Sequence, residues 1–477
     1  RGGPARPATV GTLILLPVLC RCREDGLARL PPMGWRSWNL YGGSVNQSQM
    51  LRIMDGMASR ARMVDGRPTS LCDLGYCDVG LDDGWQDPQG PPGSPRACRT
   101  RRSKDGAAGR SALAVDAPPA ARVDVGNFFH DVEGNPLIDY GRFPDMRGMT
   151  DAAHRLGLKA GWYANNCICK ENNTHDRKYY EGDVRAFRRF GFDSWKLDAC
   201  GSQMDLQLYD DLLHADGGAP VLVENCHWGR KAPAGPNRTW CPWHMYRTSD
   251  DLQPAWWSVV YNLASVGRFA RKNLSTPGCW AYADMLMLGA GGKPGLTPVE
   301  LRTHFGAWAI VSSPLVLAHD VNNDSVMDEL WPLISNTEVI GVSQSYAGFS
   351  GGPFKQAAER VSLAPAMGKR NEITAPAWEF FYKPLDWHGT RVAVLLLNHG
   401  AAPADLQLHF AEVPGLACTT CAMRDIWRRE DIGQATGSMV ARGVPPHDSA
   451  FLILAPASGP SPGVGVISAH SGGGLRR

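Results

Sequence analysis

The chain of 477 residues is long enough for a large domain and a smaller one. Its formal net charge of +2, with 20% charged residues, leaves no basic or acidic surplus and sets aside nucleic acid and acidic partners. Apolar content is ordinary for a globular protein, and the 16 tryptophans lean toward a protein that handles sugars.

Residues 1–24 open with a basic stretch, continue into the short apolar run "GTLILLPVLC" and leave through a polar segment. That is the grammar of a secretory leader. Its apolar core is about a dozen residues, short of the roughly 20 that span a bilayer, so no membrane anchor is expected. Cys20 and Cys22 leave with it, and eleven of the thirteen cysteines remain, an odd number. Sequons at Asn46, Asn172, Asn237, Asn273 and Asn323 agree with the secretory route. Neither Cys167/Cys169 nor Cys418/Cys421 has a second pair or a His couple at zinc spacing, so disulfides are expected and a metal is not.

From Leu30 to about His319 short apolar runs alternate with helix-length patterns. The runs are "MGWRSWN", "YCDVGLDDGW", "LKAGWYANN", "SWKLDAC", "PVLVENCHW", "WHMYRTSDD", "CWAYADMLMLG" and "AIVSSPLVLAHD". Between them "DMRGMTDAAHRLG", "YEGDVRAFRRFG", "MDLQLYDDLLHA", "AWWSVVYNLASVGRFA" and "TPVELRTHFGAWA" have helical phasing, with Gly157 and Gly191 placed to cap two of them. Eight such βα units predict an α/β fold, a (β/α)8 TIM barrel over residues 25–335. Residues 86–122 are rich in Pro, Gly, Ala and Arg without periodicity and read as a disordered insertion in the barrel. Beyond about Ser335 strands follow one another without helices, which predicts a C-terminal antiparallel β-sandwich over 336–457; the Gly/Ser-rich tail 458–477 is expected to be disordered.

In such a barrel, functional side chains leave the C-terminal ends of the strands. Those ends carry Trp35 and Trp38, Asp82 and Asp83, Tyr163, Lys196 and Asp198, His227 and Trp228, Arg247, Asp250 and Asp251, and Asp284. Alternation puts Lys196 and Asp198 on one face of their strand. A lone pair of this kind is usually a structural ion pair, but charge at successive strand ends around one ring would be a wasteful burial. Paired carboxylates over an aromatic floor suit glycoside hydrolysis, in which one attacks the anomeric carbon and the other protonates the leaving oxygen. Asp198 beside the Lys196 cation fits the ionised nucleophile.

The segments "EDGLARLPPMGWRSWN", "LDDGW", "GLKAGWYA", "KLDAC", "YRTSDD" and "ADMLMLG", in this order between about Asp25 and Pro456, resemble glycoside hydrolase family 27, the α-galactosidase/α-N-acetylgalactosaminidase family. The resemblance implies a metal-free retaining exo-glycosidase, without cofactor, acting on a carbohydrate with a terminal galactose-configured sugar. It places the nucleophile on Asp198 and the acid/base on Asp251, four positions after Arg247. Asp250 stands where the family has a small residue, so either of the two acids could serve. Asp82 and Asp83 correspond to residues that grip the 4- and 6-hydroxyls, Trp38 to a platform under the sugar, and Tyr163, Lys196, Arg247 and Asp284 to other parts of the pocket. His227 replaces a Glu that recognises the 2-hydroxyl, and Ala281-Tyr282-Ala283 replaces Asn-Asp-Pro before the last Asp. These departures keep a β-L-arabinopyranoside or an α-N-acetylgalactosaminide open as substrate, and a transglycosylase or a non-catalytic sugar-binding relative as rivals. The resemblance also implies disulfides from Cys200 to Cys167 or Cys169, between Cys226 and Cys241, and between Cys418 and Cys421.

Overall fold

The computed structural model describes residues 25–87, 129–165, 167–168, 175–215, 217–227, 236–237, 240–289, 295–364, 371–457 and 465–468. The leader, residues 88–122 of the expected insertion, Cys169, Asn172, Trp228 and most of the tail lie outside them. Within the tail expected to lack structure, Gly465–Ser468 forms a short strand parallel to Ser438–Val444.

Eight parallel strands curl into one sheet: β1 (Met33–Arg36), β2 (Asp78–Gly80), β3 (Lys159–Ala164), β4 (Ser194–Asp198), β5 (Leu222–Cys226), β6 (Met245–Arg247), β7 (Trp280–Tyr282) and β8 (Leu315–Leu317). Neighbours in sequence are neighbours in the sheet, and β8 returns to pair with β1. The backbone N–H of Leu286, just past β7, donates to the Val316 carbonyl of β8 at 2.8 Å and draws the last gap together. This is the barrel read from the sequence.

Alternation decides what each strand does. Trp35, Val79, Trp162, Trp195, Tyr246, Ala281 and Leu315 face outward and pack with the helices in one large core. Ring stacking adds to it: Trp162 lies 5.2 Å from Phe192 and Trp195 lies 4.7 Å from Phe187. Between them Arg36, Lys196, Glu224 and Arg247 belong to the inward face and are buried. Gly80 is needed here, since a side chain on it would collide with the Arg36 guanidinium.

The helices that cover the barrel begin and end for local reasons. α1 (Gln47–Ala58) starts with Asn46 and Gln49 capping each other, and it was not anticipated although that Asn-x-x-Gln pattern is a start signal. α2 (Met146–Arg155), α3 (Arg177–Phe190), α4 (Leu206–His214), α5 (Trp256–Ala270) and α6 (Pro298–Ile310) fall on the helical patterns of the sequence. Gly191 closes α3 with φ 74° and Gly157 follows α2 with φ 77°. α7 (Asp324–Ile334) and α8 (Thr337–Ser343) carry the helical layer on past Ser335.

The C-terminal part is a sandwich. Its larger sheet holds six strands and includes β9 (Gly352–Gln356), β10 (Trp378–Pro384), β11 (Val392–Asn398), β13 (Thr420–Asp425), β14 (Glu430–Thr436) and β16 (Ser449–Pro456). β12 (Ala404–His409) and β15 (Ser438–Val444) form the opposite layer. One face of β11 (Val392, Val394, Leu396) fills the sandwich; the other (Ala393, Leu395, Leu397) joins the core around the barrel helices. The two parts therefore share apolar packing.

Disulfides join Cys72–Cys77, Cys167–Cys200, Cys241–Cys279 and Cys418–Cys421. The expected Cys226–Cys241 bond is corrected. Cys241 bonds Cys279 at the start of β7, while Cys226 points into the barrel as a buried free thiol. The inward phase of β5 turns its sulfur toward Arg247 instead, at 3.6 Å. Among the described residues no helix is long and apolar enough to cross a membrane.

Candidate active site

The strand ends surround a cavity of about 470 Å³, lined by Trp38, Asp82, Asp83, Tyr163, Lys196, Asp198, Asp251 and Asp284 together with seven residues of the connecting loops. Its size is in the range of pockets for small ligands.

Asp198 ends β4 and is 5% exposed. Tyr163, from the neighbouring β3, donates its hydroxyl to Asp198 Oδ2 at 2.8 Å, and the Ala199 backbone N–H donates to Oδ1 at 2.6 Å. Burial is the strongest influence on this carboxyl and pushes its pKa up; the Lys196 charge, the Tyr163 hydroxyl and the Ala199 amide act against it. Lys196, two residues earlier on the same face, donates from Nζ to Asp82 Oδ2 at 2.8 Å. Burial pulls the Lys196 pKa down, but the carboxylates around it, Asp82 first, prevail and hold it well above its ordinary value. Lys196 is thus paired with Asp82 in a setting that favours its charged form.

The loop after β2 sets the adjoining acids. Ser37 Oγ accepts from the Asp82 backbone N–H at 2.9 Å, which ties this loop to the end of β1. Asp83 Oδ2 accepts from the backbone N–H groups of Cys167 and Ile168 at 3.0 and 2.9 Å. Its Oδ1 is buried without a hydrogen-bond partner among the described residues. Burial, only partly offset by those amides, pushes the Asp83 pKa up to about 7. The Cys167–Cys200 disulfide sits beside Asp198 and locks the loops after β3 and β4 together. Because both sulfurs are bonded, that cluster offers no thiolate for a metal.

On the other side, Arg247 at the end of β6 is buried and bridges two carboxylates. Nη2 meets Asp251 Oδ1 at 3.1 Å and Nη1 meets Asp284 Oδ1 at 2.9 Å. The Asp251 side chain is 55% exposed at the cavity mouth. Its neighbour Asp250 is not among the residues that line the cavity. Asp284 is buried, with burial raising its pKa to about 6 against the pull of Arg247. It sits at φ 104°, a conformation that side chains rarely adopt, and is held there by the amides of Met285 and Leu252 and by the Trp308 indole on its carbonyl.

Arg247 and His227 are both buried and are not among the residues that line the cavity. His227 donates its backbone N–H to Asn225 Oδ1 at 3.0 Å. Sequence reasoning passed over Asn39, Leu252, Gln253, Pro254 and Met287, which also line it. Asn39 and Met287 lie within the quoted segments "MGWRSWN" and "ADMLMLG", whereas 252–254 follow from the path after Asp251 and have no local signal. It also passed over Arg36, whose Nε lies 3.1 Å from Glu224 Oε2 across the barrel floor. A glutamate in the middle of the apolar run "VLVENC" was the available hint.

Comparison with known proteins follows this geometry. Residues 126–345 match the family profile described as alpha galactosidase A, and residues 376–454 match the alpha galactosidase C-terminal beta sandwich domain. An alpha-galactosidase of Cyamopsis tetragonoloba is 26% identical over 445 residues, covering 91% of this chain and 88% of that protein. An alpha-galactosidase of Oryza sativa is 25% identical, with 91% and 87% covered. Among solved structures, alpha-galactosidase I of Mortierella vinacea superposes with a TM-score of 0.67 at 22% identity, over 92% of this chain and all of that one. A β-L-arabinopyranosidase of Geobacillus stearothermophilus superposes with 0.66 at 19% identity, over 91% and 98%. These superpositions establish the shared fold.

Proposed function

We propose that this chain, which belongs to glycoside hydrolase family 27, hydrolyses terminal α-D-galactosides by double displacement with Asp198 as nucleophile and Asp251 as acid/base. The observation that carries the reading is that two carboxylates of opposite setting line one cavity. Asp198 is buried, held by the Tyr163 hydroxyl and the Ala199 amide, and Asp251 is half exposed at the mouth. Such a division suits a fixed nucleophile and a proton donor that must reach the leaving group and then water.

In the first step Asp198 Oδ attacks the anomeric carbon while Asp251 gives its proton to the departing oxygen; a glycosyl ester on Asp198 forms and the alcohol leaves. In the second, Asp251 takes a proton from water, whose oxygen replaces Asp198 on the same carbon and restores the carboxylate. Two inversions retain configuration. Lys196 offsets the charge of Asp82 and Asp198 throughout, and the Tyr163 hydroxyl holds Asp198 Oδ2 in line.

Galactose is favoured over the arabinopyranoside by Asp83, a cavity-lining carboxyl suited to a hydroxymethyl group that the pentose lacks. Trp38 on the cavity wall supplies an apolar surface for the sugar face. The leader-like residues 1–24 and the sequons support entry into the secretory pathway as a glycoprotein, ending outside the cell, in the cell wall or in a vacuole or lysosome.

The test is hydrolysis of matched aryl α-D-galactoside, α-N-acetylgalactosaminide and β-L-arabinopyranoside by the wild type and by Asp198→Ala. Turnover of the galactoside above the others, lost in the variant, supports the reading. A folded wild type that turns over none of them sinks it.

A further inference from the structure

Resting on that reading, we propose that Asn165 is a positioning residue for the nucleophile: its side-chain amide pins the peptide between Asp198 and Ala199, and through that peptide it aims the Asp198 carboxylate.

The register between β3 and β4 stops one residue short of the nucleophile. Its last pair is Ala164 with Leu197, whereas on the other edge of β4 the pairing with β5 runs on to Asp198 and Cys226. Asn165 is the next residue after β3. It donates from Nδ2 to the Asp198 carbonyl at 2.5 Å, so a side chain continues the ladder where the strand has ended.

The amide is held at its other end as well. Asn165 Oδ1 accepts from the Gln203 backbone N–H at 3.0 Å, so the NH2 faces a carbonyl and the oxygen faces an N–H, the only partners each can take. The side chain is buried, and the backbone stands at φ 60°, a conformation that asparagine tolerates better than most residues. Gly201 makes room for it, since a side chain there would run into Asn165 Oδ1. Gln203 is anchored in turn: its Nε2 donates to Asp183 Oδ2 of α3 at 2.6 Å, and the Tyr209 hydroxyl of α4 donates to the same oxygen at 2.8 Å. The support therefore reaches the helices outside the barrel.

What the anchor controls follows from peptide geometry. A peptide unit is planar, so its carbonyl and its N–H turn together. The Asp198 carbonyl shares one unit with the Ala199 N–H, and that N–H donates to Asp198 Oδ1 at 2.6 Å. Fixing the carbonyl thus fixes the donor that holds the carboxylate. The other oxygen, Oδ2, is held by the Tyr163 hydroxyl, two residues before Asn165. β3 and the residue after it set both oxygens of the nucleophile, one directly and one through a peptide. The Cys167–Cys200 disulfide joins the same two loops, but through side chains beyond this peptide. Asn165 is not among the residues that line the cavity, so its influence on the reaction runs through Asp198.

The experiment measures kcat/KM on dinitrophenyl α-galactoside for the wild type and Asn165→Gly, and for Asp198→Gly and the double variant with azide as an external nucleophile. In the azide reaction a nitrogen bonds to the anomeric carbon as dinitrophenolate leaves, so no enzyme carboxylate takes part. Glycine adopts φ 60° without strain, so Asn165→Gly removes the amide and spares the turn. With Asp198 present that removal should lower kcat/KM by roughly 10²-fold, the cost of a nucleophile displaced by about 1 Å. With Asp198→Gly it should alter the azide reaction by less than about threefold, because there is no carboxylate left to aim. Asn165→Asp keeps an acceptor for the Gln203 N–H and loses the donor to the Asp198 carbonyl. It should show the same signature, and it takes the place of the glycine form should that fail to fold. An equal loss in both backgrounds, or an Asn165→Gly enzyme within threefold of the wild type, overturns the proposal and leaves Asn165 a loop anchor; the galactosidase reading then still stands on wild-type turnover. If the wild type cleaves no galactoside, the functional reading has failed and takes the proposal with it.

Discussion

Two strands of this molecule are equally buried and differently filled. Every residue of β4, Ser194–Asp198, is buried, and so is every residue of β11, Val392–Asn398. β11 does this with valines, leucines and an alanine up to its last residue, whereas β4 carries a lysine and an aspartate. A protein seeking stability alone would build both like β11, because an ion pair taken out of water recovers at best what its desolvation costs. The contrast extends to two buried lysines. Lys196 faces Asp82 and keeps its charge, while Lys383 in β10 donates to the helix-end carbonyls of Val342 and Ser343 at 2.5 and 3.0 Å. Burial pulls the Lys383 pKa well below its ordinary value. The barrel interior pairs its buried lysine with a carboxylate; the seam beside the sandwich holds its own on backbone carbonyls.

Four measurements break or sharpen this contrast. The largest effect belongs to Asp198→Asn, which preserves shape and removes the nucleophile. Turnover of an aryl galactoside should fall by about 10⁴-fold or more, while thermal melting holds or rises because a desolvated carboxyl has been neutralised. A melt lowered in step with activity would mean that Asp198 is a structural ion-pair member.

Next is Lys196→Met, which strands Asp82 without its cation. It should cost about 3–5 kcal/mol in denaturant unfolding, and Asp82→Asn in the same chain should recover most of that loss without recovering activity. Leu396→Ala, in the sandwich core and fully buried, should cost about 2–5 kcal/mol through its cavity and leave turnover per folded molecule unchanged. Lys383→Met should be nearly silent, within about 1 kcal/mol. A loss as large as that at Lys196 would show that the two lysines are held in the same way.

A pH series separates the regions again. Asp83 titrates near 7 in the folded chain and near 3.8 unfolded. Between those values the folded state binds the extra proton, so its contribution to stability declines as pH rises from about 4 to 7 and is level outside that window. The slope of unfolding free energy over this range should flatten in Asp83→Asn; an unaltered slope would remove Asp83 as its source.

The sequence showed the barrel because its signals are local. Apolar runs of strand length, helical phasing between them and Gly191 at a helix end each need only a few neighbouring residues, and eight repetitions leave few architectures. The strand-end residues were legible for a similar reason, as period-two alternation sends Lys196 and Asp198 to one face. What escaped depends on contacts between distant segments. The Arg36–Glu224 pair joins residues on β1 and β5 that never adjoin in the sheet, and nothing near either residue announces the other. The Cys241 partner depended on the inward phase of β5, which carries Cys226 away from it. That the Arg247 guanidinium is buried against both Asp251 and Asp284 is a matter of depth that spacing does not express.

The most direct test of the account is to trap its covalent intermediate. The wild type, incubated with a fluorinated galactosyl fluoride that slows the second step, should lose activity with time and gain the mass of one fluorogalactosyl group on the peptide carrying Asp198. Label on a different carboxylate, or continued hydrolysis with no label at all, would contradict the assignment of Asp198 as the nucleophile of a retaining enzyme.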